Sequence, residues 1–254
     1  MSHTEAYVRY SAQGGIGTIE FFHPMSNSLP GSILAQLAAA VDHAGHDDSV
    51  SVIILRSAGD KAFCAGASFD ELVSINDEQT GHRFFMGFAN VINAMRRCPK
   101  FIIGRVQGKA VGGGVGLASA VDYCLATSAS AAKLSELAVG IGPFVVGPAV
   151  ERKVGTSAFS QMAIDATRWF DASWAREKGL YADVFENTEL MDAAITALAE
   201  RLAGSNPDAM RMLKRVFWQG TDHWDQLLAE RAGMSGTLVL SDFTRKAISK
   251  FKAK

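Results

Sequence analysis

Four short apolar runs punctuate the first half of the chain: IGTIEFF (16–22), VSVIILR (50–56), FIIGRV (101–106) and VDYCLAT (121–127). Their length, their β-branched and aromatic content and the Gly, Pro or Ser near their ends predict strands. Between the first two, SILAQLAAAVDHAGH places Ile33, Leu37 and Val41 four residues apart, with Leu34 widening the stripe, which predicts a helix with one buried face. A second helix is predicted over 80–97, stopped at Cys98-Pro99 because proline disfavours helical geometry in the residue before it. Strands alternating with helices make this an α/β chain.

The pattern changes near Thr188. Met191, Ile195, Leu198 and Leu202 share one helical face, Thr188 can cap it, and Gly204 followed by Pro207 can stop it. Helical periodicity continues to the end, with GTLVL (236–240) the one ambiguous strand candidate. A boundary near 190 therefore divides an α/β core (1–190) from a helical C-terminal region (191–254). Within the core, strand 50–56, AFCAGAS and a helix are echoed by strand 101–106, AVGGGVG and a helix. Each unit puts small residues at the step from strand to helix.

Composition narrows the functional classes. A net charge of −1 gives no general attraction to nucleic acid or to an anionic membrane. Cys64, Cys98 and Cys124 are few, odd in number and free of CxxC spacing, which argues against a disulfide framework or zinc site and fits a reducing compartment. The opening MSHTEAYVRYSAQGG is too polar for a signal peptide, and no run is apolar enough to span a bilayer, so the expected location is the cytoplasm.

The densest chemical signal is GKAVGGGVGLASAVDY (108–123). Three successive glycines sacrifice about 0.5–1 kcal/mol each relative to alanine. At a strand-to-helix step, backbone N–H groups point outward at the positive end of the helix dipole. Gly113 and Ala67, one from each recurring unit, could aim two N–H groups at one oxygen, as an oxyanion hole. The same glycines could merely let a helix approach a strand. A third reading takes Gly112, Gly114 and Gly116 as a dinucleotide loop with Glu136 on the ribose, although this is not GxGxxG and falls outside the first βαβ unit.

AFCAGASFDEL (62–72), VQGKAVGGGVGLASAVDY (106–123) and KLSELAVGIGP (133–143) together resemble, in order and spacing, the enoyl-CoA hydratase/isomerase (crotonase) family. HPMSNSLPGSILAQL near the start and FKAK at the end are similar to further segments of that family. The resemblance implies an α/β spiral of ββα units with a helical C-terminal trimerisation region, assembled as a homotrimer or dimer of trimers. It implies an acyl-CoA thioester as substrate and partner, with no cofactor beyond the coenzyme A moiety and no metal. Ala67 and Gly113 match the two residues whose N–H groups hold the thioester oxygen. Met25, Ser26, Ala65 and Ser68 match positions around the coenzyme, and Phe251 and Lys254 match C-terminal residues near its nucleotide end.

One departure bears on the reaction. Hydratases of the family use two glutamates around water; here the first position is Gly116 and only the second remains, as Glu136. A single carboxylate suits proton transfer between two carbons, as in a Δ3,Δ2-enoyl-CoA isomerase, better than addition of water. Hydration with help from Ser135, thioester hydrolysis, decarboxylation and a non-catalytic acyl-CoA-binding member are the alternatives. Phe144, Val145 and Val146 either line the acyl pocket or fill the core. His43 and His46 with Asp47 and Asp48 read as a solvated helix end sooner than a metal site. Cys64 reads as a small residue sooner than a nucleophile, Asp122 as a strand-end anchor, and Asp70 and Glu71 as a solvated helix start. The cluster WFDASWA (169–175) reads as packing.

Overall fold

The structure is a computed structural model and describes residues 5–252, with side chains through Lys250. Strands β1 (Tyr7–Gln13) and β2 (Ile16–Phe22) form an antiparallel hairpin. Its two-residue turn is Gly14-Gly15, both at positive φ, the conformation that matches strand twist. Helix α1 (Gly31–His46) leads to β3 (Val52–Ser57), which pairs in parallel with β2. A short α2 (Phe69–Ser74) and a long α3 (Glu78–Arg97) follow, then β4 (Phe101–Val106), parallel to β3. The chain then makes β5 (Ala110–Val111), α4 (Gly113–Ala120), β6 (Tyr123–Thr127) and β7 (Ala131–Lys133). A one-turn 3-10 helix (Leu137–Val139) precedes α5 (Gly147–Ile164), β8 (Phe170–Asp171), α6 (Ala172–Glu177) and β9 (Asp183–Phe185). Four helices close the chain: α7 (Thr188–Ala203), α8 (Pro207–Phe217), α9 (Trp224–Leu238) and α10 (Asp242–Lys252).

Two sheets result. The larger has the order β1-β2-β3-β4-β6-β9; the smaller is β5-β7-β8. In β3 the side chains alternate between two apolar layers, as the period of two requires. Ile53 and Leu55 join the core under α1 and α3, whereas Val52 packs with Ile103 and Leu125 against Met191, Ile195 and Ala199 of α7. The sequence boundary near 190 thus falls inside a helix that covers the second face of the sheet. GTLVL begins within the last turn of α9 and is not a strand.

Helix α3 crosses α9 where two glycines meet. A Cβ on Gly81 would stand 2.8 Å from the Gly236 carbonyl oxygen, so the backbones touch. Helix α8 is moored by a buried ion pair between Lys214 Nζ and Asp122 Oδ2 (2.5 Å), with Asp122 also accepting from Ile102 N and Trp218 Nε1. Asp122 is therefore the anchor its position at a strand start suggests. These helices bring α3 and α9 over the step from β5 to α4.

Candidate active site

Each glycine at that step has its own close neighbour. Gly112 has φ +51°, and a Cβ there would meet Glu136 Oε1 at 2.9 Å. On Gly113 it would meet Phe88 Cε1 at 2.3 Å, on Gly114 Cys64 at 2.7 Å, and on Gly116 Val146 Cγ1 at 2.5 Å. Gly114 and Gly116 are packing glycines, closed off by Cys64 and Val146. Gly112 and Gly113 border a cavity. Close packing and an open approach are thus both present, at different residues. The dinucleotide reading loses its loop, since two of its three glycines face packed side chains.

Two segments run side by side at the cavity mouth. Val111 N donates to Cys64 O (2.9 Å), and Cys64 N donates to Lys109 O (3.1 Å). Ala65 N donates to Ser26 O, Gly66 N to Cys64 Sγ, and Gly66 O accepts from Leu29 N. Among the described residues, the N–H groups of Ala67 and Gly113 have no protein acceptor. Gly113 opens α4, where helix geometry leaves N–H groups unpaired. The two segments approach closely enough that a Cβ on Gly66 would lie 3.6 Å from Gly113 N. Ala67, Gly113 and Glu136 all line the one cavity.

Glu136 heads the 3-10 turn, and its carbonyl accepts from Val139 N and Ile141 N, which fixes the backbone beneath the side chain. The residue as a whole is half-buried and lines the cavity, and one of its carboxyl oxygens, Oε2, is buried without a hydrogen-bond partner among the described residues. Burial pushes the carboxyl up to about 7, opposed only weakly by its own backbone N–H. Such an acid can hold or release a proton near neutral pH.

The cavity has a volume of about 70 Å³. Phe69 and Leu72 of α2 and Phe85 and Phe88 of α3 form one wall. Val139, Ile141, Phe144, Val145 and Val146 form the other, so the apolar run after SELAVGIGP does line the pocket. Phe85, Phe88 and Ser235 were not singled out in the sequence. The aromatic spacing of FFMGF (84–88) is a signal for the first two; Ser235 reaches the cavity only through the α3–α9 crossing.

The remaining residues fall as follows. Ala65 lines the cavity, and Met25 is 65% exposed beside it, in a loop where Ser26 and Asn27 adopt φ of 54° and 57°. Asn27 holds that strained loop by donating to the carbonyls of Ala58 and Ala62. Ser68 caps α2, its hydroxyl accepting from Glu71 N. The side chain of Phe251 and the whole of Lys254 lie outside the described residues. Cys64 is fully buried and its thiol is pushed up to about 12 by that burial, so it is no thiolate at neutral pH. Glu71 is not merely solvated: its Oε2 accepts from Gly31 N (2.7 Å) and caps α1, whose own N-cap, Pro30, offers no side-chain acceptor. His43 packs edge-on to Tyr10, and His46 turns back to the Asp42 carbonyl. Trp169 lies under Lys109 and Lys133, at 4.8 and 4.3 Å.

Comparison with known proteins adds an independent line. The fold superposes on an enoyl-CoA hydratase structure from Bacillus halodurans with a TM-score of 0.88, over 96% of this chain and 99% of that one, at 18% identity. The chain is 32% identical over 200 residues to the mitochondrial methylglutaconyl-CoA hydratase of Mus musculus, covering 77% of this chain and 63% of that protein. It is 28% identical over 239 residues to the peroxisomal Delta(3,5)-Delta(2,4)-dienoyl-CoA isomerase of Arabidopsis thaliana, covering 88% and 84%. The model of the family described as enoyl-CoA hydratase/isomerase matches residues 11–254. An α/β spiral with paired small-residue turns, a single carboxylate among the described residues of the cavity lining and a family match across nearly the whole chain lead to one conclusion: the chain belongs to the enoyl-CoA hydratase/isomerase family.

Proposed function

We propose that this chain is an acyl-CoA enzyme that moves a double bond along the acyl chain, as a Δ3,Δ2-enoyl-CoA isomerase. In this reading the thioester oxygen accepts from the N–H groups of Ala67 and Gly113, and Glu136 carries the proton. The ionised carboxylate removes a proton from C2 of a 3-enoyl thioester, and the C2–H electron pair moves toward C1. The resulting dienolate places its charge on the oxygen held by the two N–H groups. Glu136 then returns the proton to C4, and the double bond comes to rest between C2 and C3. A carboxyl near pH 7 favours neither half of this exchange strongly, which is the balance a shuttle needs. Two preorganised donors supply the electrostatic part; losing one such donor elsewhere costs about 100- to 1,000-fold in rate.

The observation that carries the choice of isomerisation is the contact between Gly116 and Val146. A side chain at 116 would begin 2.5 Å from Val146 Cγ1, so the position of a second carboxylate is already filled by hydrocarbon. With one carboxylate and an apolar wall, the described lining offers only the hydroxyls of Ser135 and Ser235 beside Glu136 to orient a water, and the Ser235 proton is already given to the Arg231 carbonyl. Residues around the mouth, Met25, Ser26, Ala65 and Ser68, would pass the pantetheine arm, with Phe251 and Lys254 toward the nucleotide. The helices after residue 190 would pack three copies together.

The test presents the purified protein with a 3-enoyl-CoA and, separately, a 2-enoyl-CoA, with products separated and weighed by mass spectrometry. Double-bond migration without hydration, abolished in Glu136→Gln, is expected. Addition of water to the 2-enoyl substrate as the faster reaction would replace the isomerase reading with a hydratase. No reaction with either would leave a binding protein or one of the other thioester chemistries.

A further inference from the structure

Resting on the reading of this cavity as the acyl end of a thioester site, we infer that the chain takes acyl groups whose far end is neutral and apolar, and refuses acyl groups that end in a carboxylate. Past the two backbone donors, the wall is hydrocarbon: Phe85 and Phe88 face Val139, Ile141, Val145 and Val146. Among the described residues, Glu136 is the one ionisable side chain in the lining. Its Oε2 is buried without a partner and no cation lines the described cavity, so a second carboxylate there would be repelled by it.

The hydroxyls do not change this. Ser235, at the α9 wall, donates its proton to the Arg231 carbonyl (3.2 Å), so it offers an incoming anion only lone pairs. Ser135 is the residue before Glu136, and its hydroxyl is neutral and brings no positive charge to an anion. The cations nearest in sequence to the lining lie elsewhere: Arg83 of α3 lines a separate groove beside α1, together with Gly31, Ser74 and Glu71, and the ammonium groups of Lys109 and Lys133 lie over the Trp169 ring, which is not part of the lining. Helix α2 divides the two spaces: Phe69 and Leu72 face the cavity, and Glu71 and Ser74 face the groove. A distal carboxylate would thus give up its hydration for hydrocarbon with no cation to replace it, a transfer that proteins avoid.

The experiment compares equilibrium binding of hexanoyl-CoA, adipoyl-CoA and free coenzyme A to the wild-type protein by titration calorimetry at pH 7.5. The two thioesters have equal chain length and differ in a terminal methyl against a terminal carboxylate. Both are saturated, so the outcome does not depend on whether the enzyme isomerises or hydrates. Hexanoyl-CoA is expected to bind more tightly than coenzyme A alone, and adipoyl-CoA at least about 100-fold more weakly than hexanoyl-CoA. Part of the adipoyl loss should return at pH 5, where its carboxyl takes up a proton. Equal affinities for the two thioesters would overturn the inference while leaving the thioester site intact. Absence of binding by all three would overturn the thioester reading itself and the inference with it.

Discussion

The Gly113→Ala substitution adds one methyl group to the residue held to donate to the thioester oxygen. Its carbon would stand 2.3, 2.9 and 3.2 Å from three atoms of the Phe88 ring, where carbon atoms prefer about 3.5–4.0 Å. Phe88 is itself 5% exposed and packs edge-on to Phe84, with ring centroids 5.8 Å apart, so the ring has little freedom to retreat. Overpacking of this kind costs about 1–3 kcal/mol. In a domain of this size each kcal/mol lowers the melting temperature by about 2–4 °C. Any relief by movement of the 113 backbone tilts the N–H away from the oxygen, and loss of that donor would lower kcat by about 100- to 1,000-fold. The assay is thermal denaturation together with steady-state isomerisation of a 3-enoyl-CoA. A partner variant, Phe88→Ala, empties the space into which the new methyl points; in that background Gly113→Ala should cost less stability than it does alone. Wild-type activity and melting temperature in Gly113→Ala would refute both the packing argument and the donor assigned to Gly113.

Four further outcomes follow from the structure. Because burial raises the Glu136 carboxyl from 4.5 to about 7, the folded state holds its proton more tightly than the unfolded state. Its contribution to stability is present below pH 4.5 and is lost as pH rises through 7, about 3 kcal/mol in all, so Glu136→Gln should flatten denaturation curves across that window. The ionised form is the base, so kcat/KM for the 3-enoyl substrate should rise with an apparent pKa near 7. Lys214→Met should destabilise by about 3–5 kcal/mol in urea, since it leaves the buried Asp122 carboxylate without its cation. Glu71→Ala should lower stability by about 1 kcal/mol through loss of the α1 cap, with Glu71→Gln largely restoring it.

The parts of the fold that were legible in the sequence are those with a period long enough to read. IGTIEFF and FIIGRV match β2 and β4 residue for residue, because each is a full strand of alternating or continuous apolar residues. Strand β1 escaped because it is an edge strand whose apolar face is only Val8, Tyr10 and Ala12, alternating with Arg9, Ser11 and Gln13 and partly exposed, too weak a pattern beside the runs that follow. Strands β5, β7, β8 and β9 have two or three residues each, too few for any periodicity. Helix α5 is interrupted at Gly155, which takes φ +77° and breaks the repeat.

At the site, the sequence located Ala67, Gly113 and Glu136, and they line one cavity. Their surroundings were not legible. That Gly113 must be glycine because of Phe88, and that Gly116 faces Val146, are contacts between segments 25 and 30 residues apart, set by packing and not by local pattern. Glu71 looked like a solvated residue at a helix start; its role as the cap of α1 depends on a partner 40 residues away. The two lysines over Trp169 come from β7 and from the residue before β5, so no stripe of basic residues near the tryptophan announced them.

The most direct test of a single-carboxylate shuttle is the fate of the proton that Glu136 removes. A 3-hexenoyl-CoA carrying two deuterium atoms at C2 would be converted in ordinary water, and the deuterium at C4 of the 2-hexenoyl product measured by mass spectrometry and NMR. One carboxyl that takes and returns the same proton predicts a clear fraction of product with deuterium at C4, a fraction that disappears with activity in Glu136→Gln. Product formed at the wild-type rate with only solvent hydrogen at C4 would contradict the account, because a second group or a water would then be delivering the proton.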